Sequence, residues 1–361
     1  MKIFLFWDYY EPYLNTFETR FNGLSDKNYR EHSELLFDDY FGIPSSLRNY
    51  LRASGNECEL FVGNYYRLQQ KWCNENKINI TASAQTKREI VLKQLESFKP
   101  DVFFISSMFE YYGDFLSKVR NTTPNIFGWI GCPFNRELNF SNIRCIITPA
   151  ESFLDIFRKL GVNSELLKVA FDQEISNRLK DVPKTTDIGF IGSVSKANHK
   201  FRVEALEKIA SLNMDLKVWG YGLKKSKFPF FQNPLQRCFQ GDIWGIDMYK
   251  ALAGLNITLN FHIDIIKPDN QVGNMRMFEA TGCGSMLLTD TGSNIKDYFV
   301  PGKEIETYTT LNELIEKVYY YLDHPDDCKK ITDAGREACL SRHSWKTRIK
   351  EIESIFIKYS I

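Results

Sequence analysis

Between Asn270 and Asp290 the chain reads NQVGNMRMFEATGCGSMLLTD, and within it Arg276 and Glu279 stand three residues apart. On a helix that spacing puts both side chains on one face. First-turn amides together with the Arg276 guanidinium suit a diphosphate, and the Glu279 carboxylate suits the two hydroxyls of a ribose. Gln271 and Asn274, in the polar turn ahead of the helix, belong to the same expected nucleotide site. The same spacing also fits an exposed ion pair worth a few tenths of a kcal/mol. Against that stand Phe278, Ala280, Gly282 and Gly284, which read as a helix packed closely on a sheet.

Other groups fall at the ends of apolar runs. DIGFIGS closes in Gly192 and Ser193, with Lys196, His199 and Arg202 over the next turns. A glycine turn lets amides approach phosphate oxygens and the cations would offset their charge, although Arg202 also fits an ordinary solvated helix position. Trp219-Gly220-Tyr221-Gly222 ends another run, and reads either as a flat seat for a base or as a strand-end turn over a core Trp. Asn260-Phe261-His262 ends a third, so His262 is either a ligand-facing, catalytic group or a core histidine. Near the start, KIFLFW delivers Asp8 and Tyr9, and KPDVFFIS is followed by Ser107 and Glu110. Asp8 is the candidate general base for attack by a hydroxyl, with an Asx cap as its alternative. Tyr9, His32, Ser107 and Glu110 are the candidate acceptor contacts. No DxD tripeptide occurs, so no metal–diphosphate clamp is expected.

The elements that must carry these residues follow from periodicity. Runs at KIFLFW, 58–62, KPDVFFIS, NIFGWIG and RCIITP alternate with helical stretches, and the pattern restarts at DIGFIGS with LKVWGYG, ITLNFH and MLLTD. Short buried strands alternating with helices imply right-handed βαβ units on parallel sheets. The expected fold is therefore α/β, two Rossmann-like domains whose strand ends face a cleft between them: residues 1–175 for the acceptor and 186–345 for a nucleotide, with a terminal helix at 346–361 packing back on the first. Polar residues 174–186, with Pro183, are the expected linker. Phe228, Phe230 and Phe231 read as a partner surface or a covered loop.

With 361 residues, two domains are the expected number. The 46 Lys plus Arg against 45 Asp plus Glu leave a net charge of +1, which gives no general attraction to nucleic acid. The eight cysteines form no CxxC pair, and Met1-Lys2 runs straight into IFLFWDYY rather than a long apolar stretch. Reduced thiols and a cytoplasmic protein are expected.

NMRMFEATGCGSMLLTD, with DIGFIGS, VWGYG, MYKALAGLNITLNFH and VPGKEIETYTTLNELIEKVYYYLDHPDD, resembles the C-terminal domain of the CgeB-like, spore-maturation type bacterial glycosyltransferases, which are GT-B proteins. KIFLFWDYYEPYL, NYYRLQQKW and KPDVFFIS extend the resemblance over nearly the whole chain. It implies transfer of a sugar from a nucleotide-diphosphate sugar, UDP- or GDP-linked and with no further cofactor. The acceptor is a hydroxyl of a glycan, a lipid-linked sugar, a protein or a small molecule. Glu279 matches the acid that holds the donor ribose in related GT-B enzymes. Those with a two-glutamate signature carry a second acid eight residues earlier, where this chain has Gln271. A nucleotide-sugar epimerase or hydrolase, and a catalytically degenerate binding module, are the alternatives on the same fold.

Overall fold

The computed structural model describes residues 1–106, 108–135, 137–197, 199–223, 232–262 and 270–361. Ser107 and the Phe228, Phe230 and Phe231 cluster lie outside the described residues. The chain divides into two compact units, residues 1–168 with 348–361, and residues 169–347.

The first unit is built on β1 (Lys2–Trp7), β2 (Glu57–Val62), β3 (Val102–Ile105), β4 (Ile126–Trp129), β5 (Cys145–Thr148) and β6 (Ser164–Leu166), in the order β2-β1-β3-β4-β5-β6. All neighbours are parallel. A parallel strand is covered on both faces, hence its unbroken apolar sequence. Phe4, Phe6, Phe103 and Ile105 point to one face and meet Ile90, Leu95 and Leu116. On the other face the rings of Phe104 and Phe127 take Phe356, at centroid distances of 5.5 and 4.9 Å. Phe356 lies on the helix Trp345–Tyr359.

The second unit holds β7 (Thr186–Ile191), β8 (Leu216–Trp219), β9 (Phe239–Gly241), β10 (Leu255–Asn260), β11 (Met286–Asp290) and β12 (Glu306–Tyr308), again all parallel, in the order β9-β8-β7-β10-β11-β12. Three strands run outward on each side of the β7/β10 junction. This is the strand order of dinucleotide-binding folds, in which ligands bind beyond the carboxyl ends at that junction. Ile188, Phe190, Ile257, Leu259, Met286 and Leu288 bury one face against Val203, Leu206, Ile209, Leu314 and Val318.

Three departures from the sequence expectation have local causes. The edge strands β6, β9 and β12 are three residues each and carry no apolar run. The polar stretch that follows Asp8 reads from the sequence as a loop, but Glu11–Arg20 is a helix, with Pro12 in its first turn and Tyr13, Leu14 and Phe17 buried. Residues 174–186 begin not as linker but inside the helix Gln173–Arg178, whose first turn is capped by the Asp172 side chain accepting from the Glu174 amide at 2.9 Å. Phe171 nearby accepts from Trp345 and donates to His343, so the units change at 168/169 and 347/348 rather than at 175 and 345. Among the described residues no helix is long and apolar enough to cross a membrane.

Candidate functional site

Beside the β7/β10 junction, the ends of β7 and β8 are stitched together by backbone. Gly192 donates to Trp219 O at 3.0 Å and Val194 to Tyr221 O at 2.9 Å, so the turns after β7 and β8 form one structure. Gly220, with φ +140°, makes this possible: a Cβ there would stand 1.8 Å from Gly192 O. Gly222, also at positive φ, would put a Cβ 3.0 Å from Ser195 N. The Gly192 amide, in the turn expected to face a phosphate, is thus engaged in tying the turns, as is that of Val194. Trp219 is half-buried and Tyr221 exposed.

Arg202 departs from both of its expected roles. It is 9 % exposed, and its Nη1 and Nη2 donate to Ser193 O at 3.0 Å and Phe261 O at 2.8 Å. The guanidinium therefore bridges the ends of β7 and β10 from within, because two carbonyls converge there and a cation satisfies both. Lys196 is exposed and pairs with Glu207.

The helix Met275–Gly282 begins at Asn274 in extended backbone. It ends in a Schellman turn, with Gly284 donating to Thr281 O, Ser285 donating to Ala280 O, and Gly284 at φ +75°. Its opening turn hangs from the end of β10. Asn274 Nδ2 donates to Asn260 Oδ1 at 3.0 Å, and the Gly273 amide donates to His262 Nε2 at 3.1 Å. The other ring nitrogen, Nδ1, lies 2.7 Å from Asp290 Oδ1, and the His262 amide donates to the same carboxylate. Burial opposes ionisation of Asp290, yet the hydrogen bonds from His262 and Thr289 hold its carboxyl below the usual range. His262, Gln271, Asp290 and Tyr308 line a cavity of about 330 Å³ at this edge.

Arg276 Nη1 is 3.0 Å from Glu279 Oε2, and the two side chains are 15 % and 9 % exposed. The pair sits against the helix Gly245–Ala253, with Arg276 Nη2 at 3.6 Å from Met248 Sδ, and does not line the 330 Å³ cavity. Among the described residues Arg276 Nε and Nη1 make no hydrogen bond.

In the first unit, Asp8 and Glu110 lie beyond the ends of β1 and β3, which are neighbours. Burial, then the charges of Asp8 and Glu110, push the Tyr111 phenol above its usual range. Glu110 is exposed and pairs with Lys87. Tyr9 and His32 do not join them. Tyr9 packs edge-on to Tyr13 and Phe41, with its hydroxyl 3.5 Å from Ser45 Oγ. His32 is 1 % exposed with Nε2 2.9 Å from Tyr65 OH. Aromatic packing takes both into the interior, where they have no surface to offer an acceptor.

Asp290, Asn260 and Gly273 were not singled out from the sequence. The available signal was that Asp290 and His262 end two apolar runs consecutive in the chain. Among the described residues no group of three or more His, Cys, Asp or Glu side chains converges to hold a metal ion.

Two parallel six-stranded α/β sheets with these strand orders are the GT-B fold, and solved GT-B structures superpose over the whole chain. The sucrose-phosphate synthase of Thermosynechococcus elongatus matches with a TM-score of 0.58 and 10 % identity over 99 % of both chains. HepE of Anabaena, solved with UDP-glucose, matches with a TM-score of 0.59 and 11 % identity over 99 % of both chains. A glycosyltransferase of Rickettsia africae matches with a TM-score of 0.58 and 12 % identity over 99 % of this chain and 98 % of its own. No curated protein matches the sequence. By sequence, residues 200–354 match the family model described as "Glycosyl transferase-like", so this stretch is glycosyltransferase-like.

Proposed function

We propose that the protein transfers a sugar from a nucleoside-diphosphate sugar to a hydroxyl acceptor, without a metal ion, as a CgeB-like GT-B glycosyltransferase of the cytoplasm. The observation that carries this reading is the buried Arg276–Glu279 pair on a helix whose opening turn is fastened to the end of β10. The family match over residues 200–354 supports it, as does UDP-glucose in the Anabaena relative. Eight free cysteines suit a reducing compartment.

The first-turn amides and Arg276 hold the diphosphate, and Glu279 accepts from the ribose hydroxyls. As the bond between the anomeric carbon and the diphosphate oxygen breaks, negative charge grows on the leaving group, and a fixed guanidinium lowers the barrier because it needs no reorganisation. The acceptor hydroxyl attacks the anomeric carbon and gives its proton to a carboxylate of the first unit. Asp8 is the candidate for that step, with Glu110 as an acceptor contact. His262 is not that base, since both ring nitrogens are engaged. Residues 169–347 thus serve the donor and 1–168 the acceptor, with residues 348–361 completing the latter.

Thermal unfolding with a panel of nucleoside diphosphates tests the reading, because a ligand that binds the folded state raises the midpoint by mass action. UDP or GDP is expected to raise it, and EDTA to leave transfer unchanged. A midpoint indifferent to every nucleotide sinks the proposal.

A further inference from the structure

We propose that His262 is a positioning residue of the donor site: a neutral imidazole carrying its proton on Nδ1, whose Nε2 lone pair fixes the Gly273 amide and so the backbone that opens the helix Met275–Gly282. This rests on the donor-site reading above.

The tautomer is determined from both sides. The Asp290 carboxylate is ionised and can only accept, so the nitrogen 2.7 Å from its Oδ1 must donate. The Gly273 N–H can only donate, so the nitrogen it meets at 3.1 Å must be unprotonated. Hydrogen on Nε2 would set N–H against N–H.

The backbone so held does not hold itself. Gly273 has φ +136°, and a Cβ there would stand 2.7 Å from Tyr298 OH. It is flanked by Val272, which exchanges two hydrogen bonds with the Asn294 side chain, and by Asn274, tied to Asn260. His262 thus supplies the contact to the residue whose conformation is least accessible. Releasing that amide lets the first turn lose the orientation in which its N–H groups and Arg276 meet a diphosphate.

Histidine-ring nitrogen NMR on the ligand-free wild-type protein reads the tautomer directly. A neutral ring protonated at Nδ1 is expected, and a ring protonated at Nε2 overturns the assignment. UDP affinity by calorimetry reads the consequence. His262→Ala is expected to weaken UDP binding about tenfold, the loss of one buried hydrogen bond. His262→Gln, whose amide oxygen can accept in place of Nε2, is expected to recover most of it. Asp290→Ala, which frees the ring to move its proton to Nε2, is expected to weaken UDP and to change the ring spectrum together. UDP bound by His262→Ala as tightly as by wild type, or no recovery in His262→Gln, refutes the positioning role. A wild-type protein that binds no UDP or GDP instead refutes the donor-site reading, while the ring spectrum still decides the tautomer.

Discussion

Each unit buries a histidine that its sequence offers as a site residue, and the two end up doing different work. His32 stacks near Phe17 and Tyr65, and its Nε2 meets a phenol. Burial and the neighbouring Lys71 and Arg67 push its imidazole down to about 4, so it stays neutral as part of an aromatic interior. His262 is almost as buried, but its nitrogens reach a strand-end carboxylate and a helix-opening amide. Burial alone therefore does not separate a core histidine from a working one. The identity of the atom at each ring nitrogen does. The same contrast runs through the two edges: rings such as Tyr13 and Phe41, stacked at 3.8 Å, close over the region beside β1, whereas backbone hydrogen bonds knit the turns after β7 and β8, and Arg202 ties the end of β7 to that of β10.

Five substitutions would break or sharpen that contrast. Arg276→Ala is expected to reduce transfer about 10²–10³-fold, the usual loss for a donor aimed at developing charge, and Glu279→Ala to reduce it as well, by removing the acceptor for the ribose hydroxyls; normal turnover in either would remove the second edge's claim to chemistry. Gly220→Ala must place a Cβ against Gly192 O at φ +140°, and is expected to cost about 3 kcal/mol in urea unfolding, with nucleotide binding lost as the paired turns separate. Arg202→Met should cost about 2 kcal/mol, since two carbonyls lose a charged donor. Lys196→Ala, from the same sequence cluster but exposed, should stay within about 0.5 kcal/mol; equal effects would mean that Arg202 is no strut.

The last prediction concerns the pH response of His32. The unfolded chain takes up a proton near the ordinary imidazole value of 6.5, but the folded one does not until about 4. Stability should therefore fall as the pH drops through that window, at up to about 1.4 kcal/mol per pH unit, and level off below it. His32→Gln should flatten this slope when unfolding midpoints are compared from pH 7 to 4. An unchanged slope would assign the acid sensitivity elsewhere.

Much of the architecture was legible because central parallel strands must be apolar throughout. KIFLFW, DIGFIGS and MLLTD announce themselves. The edge strands were not legible, since Ser164-Glu165-Leu166 or Glu306-Thr307-Tyr308 becomes a strand only through its partner. Within the site, the Arg276–Glu279 spacing could be read from one helix. The stitching could not: Asp290 meets His262 only because β10 and β11 are neighbours, and Arg202 turns inward only because two carbonyls converge. Tyr9 and His32 went astray for the matching reason, that an aromatic interior is assembled from several helices at once.

The return of residues 348–361 to the first unit constrains how the chain is made. Phe104 and Phe127 emerge from the ribosome long before Phe356, the ring that covers them, so the sheet synthesised first waits with an open wall while residues 169–347, uninterrupted in sequence, are free to close. A protein cut before residue 348 would keep that wall open permanently, and its weakness would surface as aggregation of the amino-terminal sheet rather than as a defect in the segment removed.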